Sequence, residues 1–175
     1  FNAAVAVAAG AGGDAHAAAR AIAKHFDSVS VCFSKGLGAP AGSALCGSKE
    51  LIARARRIRK MAGGAMRQAG VLAGPGSHAL DHHVARLTQD HALAARLAEG
   101  ISGIEGVRVE APQTNIVFVD LTGTVRERGT ALLEALKSEG VLATGLYRLR
   151  FATHLDVDPA GIDRAVAAFR RFFRA

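Results

Sequence analysis

Tryptophan is absent from this sequence, tyrosine occurs once, and there are only two cysteines, two methionines and four prolines. Each shortage excludes something. Cys32 and Cys46 do not form a CxxC pair, so they supply neither a disulfide framework nor a zinc site. A reducing cytoplasm is the compartment this usage leads one to expect. Aromatics make up 5% of residues, too few to build a stacking platform for single-stranded nucleic acid. No stretch approaches the roughly 20 uninterrupted apolar residues of a membrane span. The opening FNAAVAVAAGAGG carries no basic leader, so it does not read as a signal peptide.

What the chain does have is small apolar side chains and positive charge. Half of its 175 residues are hydrophobic and 37 are alanine, a composition that favours closely packed helices over disorder. The formal net charge is +7, with 17 Arg against 5 Lys, and the densest cluster is Arg54, Arg56, Arg57, Arg59 and Lys60. Net charge speaks to solubility and non-specific attraction rather than function. Without a recognised module around it, the cluster reads as a solvated helix face, and no nucleic-acid partner is expected.

Patterning gives strands and helices in alternation, an α/β class. Residues 3–9 read as the end of a helix, and Asp14 caps a second one through Phe26. Val29 to Phe33 reads as a buried strand and SALCG as another, with a helix from Ser48 to Met61 and further helix to about Leu80. From Asp81 a long helix is expected, with Val84, Leu87, His91, Leu93 and Leu97 on one face. Val107–Val109, Ile116–Val119 and Leu149–Ala152 read as strands, and a helix crosses Glu127–Glu139. Asp158-Pro159 caps a terminal helix carrying Ile162, Val166, Phe169 and Phe173. A shift in composition near residue 85 divides the chain into 1–85 and 86–175.

The segment that concentrates chemistry is SVCFSKGLGAPAGS. Lys35 follows an apolar strand directly and is framed by Gly36, Gly38 and Gly42, which allow close backbone approach to a flat ligand. A lysine held partly out of water gives up its proton more readily, and the neutral amine forms a Schiff base with an aldehyde. The alternative for the same residue is a lysine extended from an ordinary turn.

This segment resembles the cofactor-lysine segment of the threonine aldolases, pyridoxal-phosphate enzymes of the aspartate-aminotransferase fold. FNAAVA, RARRIRKMAGGAMRQAGVLA, HALDHHVARLTQDHALA and RLRFATHLDVD look like that family in the same order, so the resemblance covers essentially the whole chain. Ala41 and Ala65 stand where a Val and a third Gly are expected, and the Ala/Gly-rich stretch at 8–19 is longer than usual. The resemblance implies fold type I, with 1–85 the remaining part of the large cofactor-binding domain and 86–175 the small C-terminal α+β domain. It implies that Lys35 carries pyridoxal 5'-phosphate as a Schiff base, that Lys60 and Arg67 lie near its phosphate or the subunit boundary, and that Arg150 binds the substrate carboxylate. The reaction implied is retro-aldol cleavage of L-threonine or L-allo-threonine to glycine and acetaldehyde, in a homo-oligomer that is a tetramer at full length; no metal is expected.

The ring-stacking histidines and the carboxylate for the ring nitrogen belong, by the same resemblance, to a segment before Phe1, so this chain is expected to correspond to a C-terminal half. His82 and His83 are expected to open a helix and face solvent, and His154 is weighed as a base. The competing readings are a non-catalytic remnant of the fold and another pyridoxal-phosphate lyase or a transaminase.

Overall fold

Local capping sets the first elements of the computed structural model, which describes residues 1–174. Helix α1 (Asn2–Ala11) stops where Gly12 takes the left-handed conformation, φ 64°. Asp14 then opens α2 (Ala15–Ala23), its carboxylate accepting the Ala17 N–H at 2.9 Å. The helix ends before Phe26, because the N–H groups of His25 and Phe26 fall back on carbonyls three residues earlier, those of Ile22 and Ala23. Strands β1 (Ser28–Cys32) and β2 (Ser43–Gly47) pair antiparallel, from Ser28 opposite Gly47 to Cys32 opposite Ser43.

The Ser48 hydroxyl caps α3 (Lys49–Met61) through the Leu51 N–H, with Glu50 in the first turn and Arg59 and Lys60 in the last, each favourable to the helix dipole. Helix α4 (Gly70–His82) includes Pro75, which has no N–H to donate into the helix. The residues from Phe1 to Leu87 form one compact unit. Its core is Val5 of α1, Leu37 and Ala39 of the β1–β2 connection, Ala79 of α4, and Val84 and Leu87 beyond it.

The second unit begins at Thr88. Helix α5 (Leu87–Ile101) leads into an antiparallel sheet of order β3 (Val107–Val109), β4 (Ile116–Leu121), β5 (Arg148–Ala152). A 3-10 turn, Gly123–Arg128, precedes α6 (Gly129–Ser138), and α7 (Pro159–Arg174) closes the described chain. Alternation along β4 buries Val117, Val119 and Leu121 on one face. They meet Leu97 and Ile101 of α5, Leu132 and Leu136 of α6, and Ile162 and Phe169 of α7. Helices α5 and α7 come so close that a β-carbon on Gly100 would lie 2.4 Å from Val166. The opposite face of the sheet carries Arg108, Phe118, Asp120, Arg148 and Arg150.

Two expectations need correction. The long helix from Asp81 is two helices separated by residues 83–86. Its apolar stripe serves two cores, with Val84 and Leu87 in the first unit and Leu97 in the second. Strand β1 is not buried on both faces: Val29 and Val31 are half-buried while Ser28 and Ser30 are exposed. A hairpin whose residues alternate serine and valine has one covered face at most. Among the described residues, no helix is long and apolar enough to cross a membrane.

Candidate active site

Lys35 lies in the connection 33–42 between β1 and β2, and the connection is ordered by its own backbone. The Phe33 N–H donates to the Gly42 carbonyl at 3.0 Å, the Ala39 N–H to the Phe33 carbonyl at 3.0 Å, and the Gly38 N–H to the Lys35 carbonyl at 2.8 Å. Gly38 (φ 71°) and Gly42 (φ 106°) hold conformations that disfavour side chains. At Gly36 a β-carbon would meet the Asn2 side-chain amide nitrogen at 2.8 Å and Leu87 at 3.3 Å. The Leu37 side chain is 3% exposed and anchors the connection in the core of its unit.

The Lys35 side chain itself is exposed, with no hydrogen bond or ion pair to its ammonium among the described residues. Three residues earlier the Cys32 sulfur lies 3.4 Å from the Ser34 hydroxyl. Hydrogen bonding by Ser34 lowers the Cys32 thiol below its usual range, and the Lys35 charge lowers it further.

Helix α4 presents Gly76, Ala79 and His83, spaced three and four residues apart, towards this connection. A β-carbon on Gly76 would touch the Phe33 ring at 3.4 Å. Ala79 packs with Leu37 and Ala39. His83 Nδ1 lies 2.6 Å from the Leu37 carbonyl oxygen; a carbonyl only accepts, so Nδ1–H is the donor. His82 and His83 therefore close α4 rather than open a helix, and His83 faces a loop carbonyl instead of solvent. Sequence reasoning missed this because the contact spans 46 residues. Its one local signal was the (i, i+3, i+7) spacing of two small residues and a histidine.

Lys60 occupies the last turn of α3 and Arg67 the connection before α4. Both are exposed, and no ion pair joins either to another described residue. Gly63 turns the chain between them with φ 79°.

Arg150 belongs to the second unit, in β5 opposite Phe118 of β4. Its backbone is held on the other side by Thr144, N–H to the Thr144 carbonyl at 2.8 Å and carbonyl from the Thr144 N–H at 3.2 Å. The neighbouring charges on that face are already matched. Asp120 receives Arg108 at 2.9 Å and Arg148 at 3.3 Å, Glu110 receives Arg148 at 2.7 Å, and the Arg148 guanidinium lies over the Phe118 ring at 4.5 Å. The hydrogen bond from Arg108 is the main reason that the Asp120 carboxyl sits below the usual carboxylate range. The Arg150 guanidinium has no carboxylate partner among the described residues, which leaves its two-pronged donor edge open for an external one. His154, two residues beyond β5, accepts the Asp156 N–H on Nδ1 at 3.3 Å and faces the Asp156 carboxylate at 3.5 Å.

Comparison with known proteins addresses the chain as a whole. Over 151 residues the chain is 42% identical to the low specificity L-threonine aldolase of Escherichia coli K12, covering 86% of this chain and 44% of the relative. It is 39% identical over 153 residues to a probable low-specificity L-threonine aldolase 2 of Arabidopsis thaliana, covering 85% and 43%. The chain thus spans less than half the length of these curated relatives. Among solved structures it superposes on a putative aromatic amino acid beta-eliminating lyase/threonine aldolase from Exiguobacterium sp. 255-15, with TM-score 0.72, 22% identity, and coverage of 89% of this chain and 48% of that one. A serine palmitoyltransferase from Sphingomonas wittichii gives TM-score 0.66 at 18% identity, covering 88% and 41%. The fold is accordingly part of fold type I of the pyridoxal-phosphate enzymes. The family model for the beta-eliminating lyases matches residues 1–124, which include the Lys35 connection, α4 and the first two strands of the second unit, and the chain belongs to that family.

Proposed function

We propose that this chain is part of a pyridoxal-phosphate-dependent aldehyde-lyase that cleaves L-threonine or L-allo-threonine to glycine and acetaldehyde. The observation that carries the reading is the exposed amine of Lys35, free of ion pairs, in a glycine-framed connection ordered by its own hydrogen bonds, in a chain 42% identical to a threonine aldolase over 151 residues. The residues present fit an aldehyde cofactor at this point: the amine is accessible, and Gly36, Gly38 and Gly42 place no side chains around it.

The division of labour follows from the donors. Lys35 would hold the cofactor through its exposed amine, a nucleophile towards aldehydes. Lys60 and Arg67 supply positive charge for the phosphate. Arg150 grips the substrate carboxylate with two parallel N–H donors and so orients the bond to be broken. The chemistry that pyridoxal phosphate supplies when bound is an electron sink for the pair released as that Cα–Cβ bond breaks. The base that takes the β-hydroxyl proton is assigned to no residue of this chain. The whole protein is proposed to work in the cytoplasm as a homo-oligomer, a tetramer at full length, on a free amino acid, with no nucleic-acid or membrane partner.

The test is to add pyridoxal phosphate, reduce with borohydride, and locate the added mass by peptide mapping. We expect the label on Lys35, and none in Lys35→Ala. In the full-length protein, Arg150→Ala is expected to raise KM for threonine about tenfold to a hundredfold, the usual cost of a charged hydrogen-bond pair. Label elsewhere, or none, overturns the reading. 2-Oxobutanoate and ammonia in place of glycine and acetaldehyde would replace the aldolase with an eliminating lyase.

A further inference from the structure

We infer that His83 is a positioning residue for Lys35. The inference deepens the proposed function, because it rests on Lys35 being the lysine that takes the cofactor.

The chain of contacts runs through one peptide group. The Leu37 carbonyl and the Gly38 N–H belong to the same planar amide, so neither can turn without the other. His83 Nδ1–H holds the carbonyl at 2.6 Å, and the Gly38 N–H donates to the Lys35 carbonyl at 2.8 Å. Fixing the amide at its oxygen therefore fixes the donor that closes the turn beginning at Lys35. Hydrogen bonds in such a relay polarise and support one another.

The amide needs an outside hold. Gly38 has φ 71° and Gly42 φ 106°, and glycine backbone turns over readily in this region. The Leu37 side chain anchors the Cα position in the core without itself fixing the plane of the following amide. His83 removes that freedom from the end of α4, a rigid element already packed on the connection through Gly76 and Ala79. Its own ring is braced: His78 meets His83 edge-on at 5.3 Å between centroids and His82 at 4.4 Å. Among the described residues no group of three or more His, Cys, Asp and Glu is arranged to hold a metal; the three rings pack on one another and His83 makes the hydrogen bond. The direction in which the loop presents the Lys35 amine is then set by an imidazole 48 residues further along the chain.

Three variants of the full chain separate donor from bulk. His83→Phe keeps a ring and loses the donor, His83→Ala loses both, and His83→Asn restores an N–H near the Nδ1 position. Two readouts are needed. Amide hydrogen exchange at Gly38, measured without cofactor, is expected to quicken about fivefold to tenfold in His83→Phe and His83→Ala, the scale of one lost hydrogen bond. It is expected to return towards wild type in His83→Asn, while exchange in β1, β2 and α3 stays unchanged. Borohydride-trapped pyridoxal phosphate on Lys35 is expected to form several-fold more slowly in His83→Phe and to recover in His83→Asn.

Gly38 exchange unmoved in His83→Phe overturns the proposal. Faster exchange with unchanged trapping also overturns it, since the hold would then have no bearing on the amine. Absence of label in the wild-type chain overturns the cofactor assignment instead, and the exchange result still states whether His83 fixes the amide. If His83→Ala does not fold, the Phe and Asn pair decides alone.

Discussion

Cys32, the last residue of β1, and Lys35, in the connection that follows, lie three residues apart. Ser34 lies 3.4 Å from the Cys32 sulfur and is the largest influence on its thiol, with the Lys35 ammonium a smaller one; both favour the thiolate. The sign is simple. A lowered thiol reaches its reactive form at lower pH, so the rate of Cys32 alkylation by iodoacetamide is expected to rise with a midpoint below the ordinary 9.0. Ser34→Ala is expected to move that midpoint up, and Lys35→Met to move it up by less. Peptide mass mapping separates Cys32 from the exposed Cys46. A midpoint unmoved by Ser34→Ala would show that the hydroxyl does not favour the thiolate. At this scale the setting of Lys35 was legible in the sequence, a strand before it and glycines after it. His83 was not, because its role depends on a carbonyl brought to it by folding.

Among the elements, β5 depends on a glycine outside it. Gly145 adopts φ 91°, and a β-carbon there would lie 2.0 Å from the Arg148 carbonyl oxygen. That neighbour is backbone and cannot swing aside. Gly145→Ala is therefore expected to destabilise the second unit by about 2 kcal/mol or more, the sum of a left-handed non-glycine residue and a displaced strand. Because Thr144 bridges to Arg150, the displacement reaches the proposed carboxylate-binding arginine. Urea unfolding gives the stability, and KM of the full-length enzyme the effect on Arg150; a variant unchanged in both would contradict the clash. The same scale shows where sequence patterns succeed and fail. Side-chain caps at Asp14 and Ser48 and the alternation along β4 are local, and the starts of all three elements were legible, although the helix expected to reach Phe26 ends at Ala23. The break at 83–86 was invisible because one apolar stripe runs continuously past it while the cores it enters are different. A period reports that a face is buried, and not what it is buried against.

For the whole molecule, the informative quantity is where the charge lies. Residues 1–87 hold 11 Lys and Arg against 4 Asp and Glu, while residues 88–175 hold 11 against 11, so the entire +7 belongs to the first part of the chain. In the second unit the charge is balanced by number, and four of its ten arginines pair with acids, Arg96 with Asp163, Arg108 and Arg148 with Asp120, and Arg171 with Glu139. In the first, Arg54, Arg56, Arg57 and Arg59 stand exposed on α3 with one acid, Glu50, in the helix. Four exposed guanidiniums without stacking aromatics attract any polyanion and discriminate among none. The chain is expected to bind duplex DNA weakly at low salt, equally across sequences, and to release it as counterions compete. Replacing the four arginines by glutamine is expected to lower the log–log salt dependence by about one per residue, while trapping of pyridoxal phosphate on Lys35 continues. Fluorescence anisotropy with two unrelated duplexes measures both quantities. A preference between duplexes that survives at about 0.15 M salt, where the Debye length has shrunk to about 8 Å, would mean that α3 reads nucleic acid rather than merely attracting it. Loss of Lys35 trapping in the same variant would instead tie the basic helix to the cofactor's phosphate, extending to the arginines the role proposed for Lys60 at the end of α3.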